Sequence, residues 1–246
     1  MYLFEIIIFS FFTGIIGTGI GGLIAFIYKK PTDKLISTTL GFASGLMLAV
    51  VCFDLLPHAF DTGGLINGIL GMVIGVLLVT YFDMKVGEVL PDRSNARGVD
   101  YIKMGILMGM AIAVHNFPEG LAIGTGFSTS PEMGMGLMLV IGLHDVPEGI
   151  AMAAPMSIGG LNKYKAFLYT LLSGVPTGIA ALIGLYIGKI SPAVISQSMG
   201  FAGGAMLYVT CGEMIPRSRS IYVGRISIFG MIFGVIGGII ITRILR

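Results

Sequence analysis

Apolar stretches recur through most of this 246-residue chain, and each is long enough, at about 20 residues, to cross a lipid bilayer as a helix. Only 11% of the residues are charged, whereas a soluble domain of this length normally carries more than twice that share. The net charge of +2 is small and gives no reason to expect a nucleic-acid partner. The sequence therefore predicts an all-α, polytopic membrane protein that forms a single domain over residues 1–246.

The breaks between the apolar stretches predict eight transmembrane spans. Several breaks carry a proline next to a polar or charged residue, a combination that stops helices. The predicted spans are residues 3–28, 35–57, 64–84, 101–127, 133–157, 164–188, 193–215 and 222–243.

The positions of the 15 lysines and arginines predict the orientation. With eight spans, twelve of them fall on one face of the membrane, and only Lys189, Arg243 and Arg246 fall on the other. Loops rich in Lys and Arg stay in the cytoplasm, so both termini are expected outside it. A wrong span count would scatter the charges, so the split also supports eight spans. The expected location is the plasma membrane, which is the inner membrane of a bacterium.

Residues 41–57 of span 2 recur in span 7 as residues 200–216, without a gap and at a constant offset of 159 residues. Nine of the seventeen positions are identical, and Asp54 aligns with Glu213. The two spans run in opposite directions, so spans 1–3 and 6–8 are predicted to be inverted repeats around a central pair. Such repeats with a polar site at mid-membrane are typical of secondary transporters. Asp54 near the outer face and Glu213 near the inner face are expected to line a cation path.

The central pair, spans 4 and 5, carries two similar hexapeptides, His115–Gly120 and His144–Gly149. In each, a histidine and a glutamate are four residues apart and share one face of a helix. Ionisable side chains inside a membrane are costly and usually functional. Each hexapeptide also holds a proline, Pro118 or Pro147, which leaves a backbone carbonyl without its helical donor and can bend the helix.

If spans 4 and 5 pack side by side, imidazole, carboxylate and amide groups converge near mid-membrane. The six side chains are those of His115, Asn116, Glu119, His144, Asp145 and Glu148. Imidazole nitrogen with carboxylate oxygen suits Zn²⁺, with Fe²⁺, Mn²⁺ and Cd²⁺ as competitors. The all-oxygen ligation that Ca²⁺ and Mg²⁺ prefer fits less well.

The paired hexapeptides, the eight spans and the repeat on spans 2 and 7 together resemble the ZIP family (Zrt/Irt-like proteins) of divalent metal transporters, along essentially the whole chain. The resemblance implies a binuclear site and movement of zinc or a similar ion into the cytoplasm. It also implies an elevator-like or rocking motion of one helix bundle against another. The ligands that it implies for the first ion are His115, Glu119, His144, Glu148 and Met47. The second ion would share Glu119 and Glu148 and add Asn116, Asp145 and Glu213.

The chain departs from the family pattern in three places. Span 6 has Val175-Pro176 in a region where many relatives have Glu-Pro. Gly212 and Arg217 flank Glu213 and Pro216 near the end of span 7, where relatives often have acidic residues or histidine. Residues 87–100 contain no histidine, although the corresponding loop is often long and His-rich.

Milder interpretations stay open for most of these side chains. The histidines could form interhelical hydrogen bonds, Asn116 and Asp145 could orient them, and Met47 could be a packing residue. Asp54 could cap or face the outer interface. His58 is expected to be solvated. The two cysteines, Cys52 and Cys211, are expected to be small buried side chains.

Three functions fit a membrane metal site. A divalent metal transporter is favoured by the inverted repeat. An intramembrane zinc-dependent hydrolase is the alternative, because His-carboxylate zinc sites also activate water, but the chain has no His-Glu-x-x-His motif. A metal sensor would need a soluble domain to report occupancy. We therefore predict a protein that is not an enzyme, with divalent ions and the bilayer as partners and a homodimer as a candidate assembly.

Overall fold

The computed structural model describes residues 3–27, 32–89 and 97–244, and the elements in these ranges are helices joined by short turns, which confirms the all-α prediction. The α-helices are α1 (Leu3–Ile27), α2 (Asp33–Val50), α3 (Leu56–Gly63), α4 (Leu65–Val89), α5 (Arg97–Thr129), α6 (Pro131–Ile158), α7 (Lys163–Ser173), α8 (Val175–Ile187), α9 (Pro192–Val209), α10 (Ile215–Ile221) and α11 (Ile226–Ile244). A π-helical turn, Val51–Leu55, joins α2 to α3, and a second, Thr210–Met214, joins α9 to α10.

Within the described ranges, six helical stretches are long and apolar enough to cross a membrane. They are residues Ile8–Phe26, Asp33–Gly63, Leu65–Met84, Pro131–Ser157, Lys163–Ile187 and Ile226–Ile244. The two other predicted spans correspond in position to α5 and α9. The six stretches support a polytopic membrane protein, and the count of eight stays a prediction.

The two π-helical turns are features that the sequence analysis did not predict. In each turn an N–H bonds a carbonyl five residues earlier, from Leu56 to Val51 and from Ile215 to Thr210. A proline follows one residue later, Pro57 or Pro216. Proline cannot donate a hydrogen bond inside a helix, and a wider turn before it accommodates its ring. The turns begin 159 residues apart, so the internal repeat extends to this local distortion.

Cys52 and Cys211 occupy equivalent positions in the two π-helical turns, and both are exposed on the protein surface. The expectation that they are buried is wrong. In the two wide turns these side chains are directed away from the packed core, and a small thiol is tolerated at an exposed position.

The helices form two groups. In the first, α1 packs on α6, α6 on α5, and α5 on α8. In the second, α2 packs on α11 and α4 packs on α9. The groups meet where α6 contacts α2 and where α5 contacts α9.

Glycines bring the helices of the second group into close contact. At each, a Cβ atom would collide with a backbone carbonyl of the facing helix, so only glycine allows the approach. In the α2–α11 contact these glycines are Gly41, Gly45, Gly230 and Gly234. In the α4–α9 contact they are Gly71, Gly75, Gly200 and Gly204. Each glycine of one contact has a counterpart 159 residues away in the other, so the repeat also includes α4 and α11.

Candidate metal centre

Two long helices carry the hexapeptides, and a single residue joins them. α5 ends at Thr129 and α6 begins at Pro131, while the Ser130 side chain accepts a hydrogen bond from the Met133 N–H and caps α6. The two helices pack against each other on either side of this turn. Residues that are equally many positions before and after Ser130 therefore lie at a similar height along the helix axes. Asn116 and His144 are both fourteen residues from Ser130, since 130 − 116 and 144 − 130 both equal 14.

Glu119 of α5 and His144 and Glu148 of α6 come together in the interior of the protein. All three are buried, and one ligand atom from each lies within 4.8 Å of those of the other two. His144 Nε2 lies 2.9 Å from Glu119 Oε1. Ligands around a tetrahedral zinc ion, at about 2.1 Å from the metal, are about 3.4 Å apart, so small side-chain movements would suffice to close this group around an ion.

The ring of His144 is oriented for metal binding through Nε2. Its Nδ1 lies 3.3 Å from the Val140 carbonyl, one turn earlier in α6. With a metal ion bound, a proton on Nδ1 would bond this carbonyl and leave the Nε2 lone pair for the ion, in place of the hydrogen that Nε2 donates to Glu119 in the absence of metal. Besides Glu119, Nε2 lies 3.5 Å from Asp145 Oδ1 and 3.9 Å from Glu148 Oε1.

Three carboxylates are concentrated in a region with little solvent. Glu119, Asp145 and Glu148 are each at most 2% exposed. Among the buried polar side chains in the described ranges there is no lysine or arginine. Burying several like charges without a cation is strongly unfavourable. A divalent cation would supply the missing positive charge.

Asn116 is held by its amide nitrogen. Its Nδ2 donates a 2.8 Å hydrogen bond to the backbone carbonyl of Ser173, the last residue of α7. Gly174 separates α7 from α8 here, and Pro176 lies in the first turn of α8, a break that the prediction of a continuous sixth span did not include. Within the part of the chain that the structure describes, Asn116 Oδ1 and Glu119 Oε2 have no hydrogen-bond partner. Both oxygens are therefore free to coordinate an ion.

The glycine that ends each hexapeptide serves close packing. A Cβ at Gly120 would collide with the backbone carbonyl of Thr177 in α8, and one at Gly149 would collide with that of Thr18 in α1. Thr18 and Thr177 are 159 residues apart, so these two contacts are also counterparts. They hold the ligand-bearing stretches of α5 and α6 against α8 and α1.

Comparison with known proteins identifies the family. The model of the family described as ZIP Zinc transporter matches residues 90–242, more than half of the chain. This protein belongs to the ZIP family. A protein of Corynebacterium glutamicum named Zinc transporter ZupT is 31% identical over 92% of this chain and 93% of its own length. Proteins of the same name from Chlorobium chlorochromatii and Salmonella arizonae are each 28% identical, over 94% and 88% of this chain and 95% and 88% of their own lengths.

These matches confirm the resemblance drawn from the hexapeptides. ZIP proteins are transporters, so the prediction that this integral membrane protein is not an enzyme is confirmed, and the hydrolase alternative is set aside.

Other predicted ligands of this ZIP protein lie outside the three-residue group. The side chain of His115 is outside the described part of the structure, although its backbone belongs to α5. Met47 is buried, and its sulfur accepts a hydrogen bond from the Thr210 hydroxyl in the second π-helical turn. Glu213 lies in the same turn, near Arg217. Burial lowers the pKa of the Arg217 guanidinium, and the Glu213 carboxylate opposes that shift. The roles of all three as ligands stay predictions.

Asp54, the residue predicted on the outer part of the path, is buried beside a cavity of about 290 Å³. His58 and Glu132 also line this cavity, together with Ser130 and Thr242. These residues come from segments that the charge distribution places near the outer face. His58 is thus half-buried in a cavity wall rather than fully solvated.

Proposed function

We propose that this ZIP protein carries zinc across the plasma membrane into the cytoplasm through the centre between α5 and α6. The observation that carries the proposal is the buried group of Glu119, His144 and Glu148, with its ligand atoms within 4.8 Å of one another. A mixed imidazole and carboxylate set suits Zn²⁺, and the similar proteins are named zinc transporters. Fe²⁺, Mn²⁺ and Cd²⁺ are competing substrates in this proposal.

The centre is proposed to hold two ions. The first would be bound by Glu119, His144 and Glu148, with His115 and Met47 completing the set. The second would share the two glutamates and use Asn116, Asp145 and Glu213. Support for a second ion comes from the unpartnered oxygens of Asn116 and Glu119 among the described residues, and from the closeness of Asp145 to His144.

The proposed path runs from the cavity beside Asp54, past the centre, to the cytoplasmic end near Glu213. Acidic groups at both ends would attract a cation. The predicted topology, with the twelve clustered basic residues in the cytoplasm and both termini outside, in the inner membrane of a bacterium, makes the Glu213 end the cytoplasmic one. The inward direction is the one that the resemblance to the ZIP family implies.

The proposed transport cycle moves one helix group against the other. The α1–α5–α6–α7–α8 group carries the centre, and the α2–α4–α9–α11 group would be the support. The glycine contacts at a 159-residue offset support an inverted repeat of spans 1–3 and 6–8, a plan common in transporters that alternate access. The support group would also be the surface for a homodimer.

Zinc uptake into proteoliposomes that contain a zinc-sensitive dye tests the proposal. The Glu148→Gln variant should take up zinc on the order of 100-fold more slowly, because the amide removes a charge that the ion neutralises. The matched control is Glu5→Gln, the same chemical change at an exposed position of α1, which should transport like the unmodified protein. Uptake at the unmodified rate in Glu148→Gln would refute this centre as the path.

The choice of metal is tested in the same liposomes by competition. Cd²⁺, Fe²⁺ and Mn²⁺ are added in turn at increasing concentration against a fixed concentration of zinc. Zinc as the preferred substrate predicts that each competitor needs an excess to halve the signal. A competitor that halves zinc uptake when present at a fraction of the zinc concentration would replace zinc as the proposed substrate.

A further inference from the structure

The hydroxyl of Thr177 is an exception among the buried threonines. Threonine side chains in helices commonly donate to the carbonyl four residues earlier. The threonines of this chain that do so are Thr13, Thr18, Thr38, Thr39, Thr80, Thr125, Thr129 and Thr170. Thr177 is fully buried, yet its Oγ1 has no hydrogen-bond partner in the described ranges. A buried hydroxyl without a partner costs about 1–3 kcal/mol, so its presence calls for an explanation.

The carbonyl four residues before Thr177 accepts an amide hydrogen in place of the threonine hydroxyl. Four residues before Thr177 lies Ser173, whose carbonyl accepts the amide hydrogen of Asn116. The counterpart of Thr177 at the 159-residue offset is Thr18, which bonds the Gly14 carbonyl at 2.7 Å. The counterpart of Asn116 in the other hexapeptide is Asp145, whose carboxylate has no hydrogen to donate. On the side of Asn116 the threonine hydroxyl thus has no hydrogen-bond partner among the described residues, whereas on the side of Asp145 the Thr18 hydroxyl is bonded.

The Thr177 hydroxyl lies beside the proposed second ion position. Thr177 packs its backbone against Gly120, one turn after Asn116 on α5. Its Oγ1 lies against Gly14 of α1, while the Asp145 side chain lies against Gly17, one turn further along α1. Thr177, Asn116 and Asp145 therefore surround one small region where α1, α5, α6 and α8 meet.

We propose that Thr177 is a ligand of the second metal ion, to which it supplies a neutral hydroxyl oxygen beside Asn116 Oδ1 and the Asp145 carboxylate. The proposal rests on the two-ion centre of the proposed function and names a ligand that it lacks. All donors of this second position would be oxygens, whereas His144 gives the first position a nitrogen. Oxygen-only positions favour harder ions, so the second position should discriminate less against Mn²⁺ than the first does.

Zinc binding to the purified protein in detergent tests the role of Thr177. Isothermal titration calorimetry gives the affinity of each ion, and elemental analysis gives the number bound. Thr177→Val keeps the shape of the side chain and removes the hydroxyl, so the second ion should bind about tenfold more weakly and the first should be unaffected. Thr177→Ser should restore binding of the second ion. Thr18→Val, the matched control, removes a hydroxyl that already bonds Gly14 and should leave both affinities unchanged.

Three results would overturn the proposal: one bound ion in the unmodified protein, an unchanged second affinity in Thr177→Val, or an equal loss of both affinities. If Thr177→Val fails to fold, Thr177→Ala removes the same hydroxyl without a branched side chain and is judged by the same results. The failure of the proposed function is seen separately, as zinc uptake at the unmodified rate in Glu148→Gln.

Discussion

The two sides of the metal centre have the same backbone plan and different chemistry. On one side, α6 packs its Gly149 against Thr18 of α1; on the other, α5 packs its Gly120 against Thr177 of α8. The polar residue that follows the histidine is Asp145 on the first side and Asn116 on the second.

This difference shows how a near-symmetric scaffold can hold an asymmetric set of ligands. The glycine contacts fix the distance between helices on both sides, so backbone geometry does not distinguish them. A single change from carboxylate to amide alters which hydrogen bonds form, because only the amide can donate to a carbonyl. One side has an additional acidic group, and the other has a buried hydroxyl without a partner among the described residues.

The largest expected effect on zinc uptake comes from the two glutamates at corresponding positions of the hexapeptides, Glu119 and Glu148. Glu119→Gln and Glu148→Gln should each lower the rate of zinc uptake into proteoliposomes by on the order of 100-fold, since even partners of a metal ligand contribute about 10- to 100-fold. Similar losses are expected because each glutamate would bind both ions. A full loss in one variant with normal uptake in the other would show that only one side of the centre serves transport.

The packing of the two sides should respond equally to added volume. Gly120→Ala and Gly149→Ala would each force a methyl group into a backbone carbonyl, at a cost of about 1–3 kcal/mol in the free energy of unfolding. Thermal unfolding in detergent measures the change. The control is Gly212→Ala, at an exposed glycine with open space around it, which should be neutral or slightly stabilising. Equal stability of all three variants would contradict the close-contact account.

The two sides should differ in how substitutions of their hydrogen-bonding residues combine in the free energy of unfolding. In Asn116→Ala the Ser173 carbonyl becomes free, and the Thr177 hydroxyl can bond it as Thr18 bonds Gly14. Adding Thr177→Val removes this compensation, so the double variant should be less stable than the sum of the single changes by about 1 kcal/mol. Asp145→Ala with Thr18→Val should be additive in the metal-free protein. Coupling of the same size in both pairs would contradict the proposed difference.

The smallest expected effect lies outside the centre, at the cavity beside Asp54. His58→Ala should raise the zinc concentration for half-maximal uptake by less than about fivefold, since partly exposed charged groups contribute about 0.2–1 kcal/mol. The maximal rate should be unchanged because the centre is intact. A fall in the maximal rate comparable to that of Glu148→Gln would make His58 part of the centre itself.

Periodicity and motif spacing were enough to predict the helical fold and the convergence of Glu119, His144 and Glu148. Hydrophobic length defines helices in lipid, and a four-residue spacing places two side chains on one face. The ends of the helices α1 and α6 lie within two residues of the ends of the corresponding predicted spans, whereas α2 ends at Val50, seven residues before the predicted end at residue 57.

The π-helical turns, the break at Gly174 and the partner of Asn116 could not be read from the same patterns. The turns and the break depend on where a proline removes a donor, and the partner of Asn116 depends on which helix packs beside it. The recurrence of Pro57 and Pro216 at equivalent positions was the one sequence feature that indicated these turns. Thr177 carried no signal, because the nearby Ser173 carbonyl bonds Asn116, a residue that is 57 positions away in the sequence.

Anomalous X-ray diffraction at the zinc edge, from crystals grown with zinc, tests most directly whether α5 and α6 hold the ion together. The account predicts an anomalous peak about 2.0–2.2 Å from His144 Nε2 and from carboxylate oxygens of Glu119 and Glu148. A zinc peak elsewhere in the bundle, with these three side chains bonded only to one another, would contradict it.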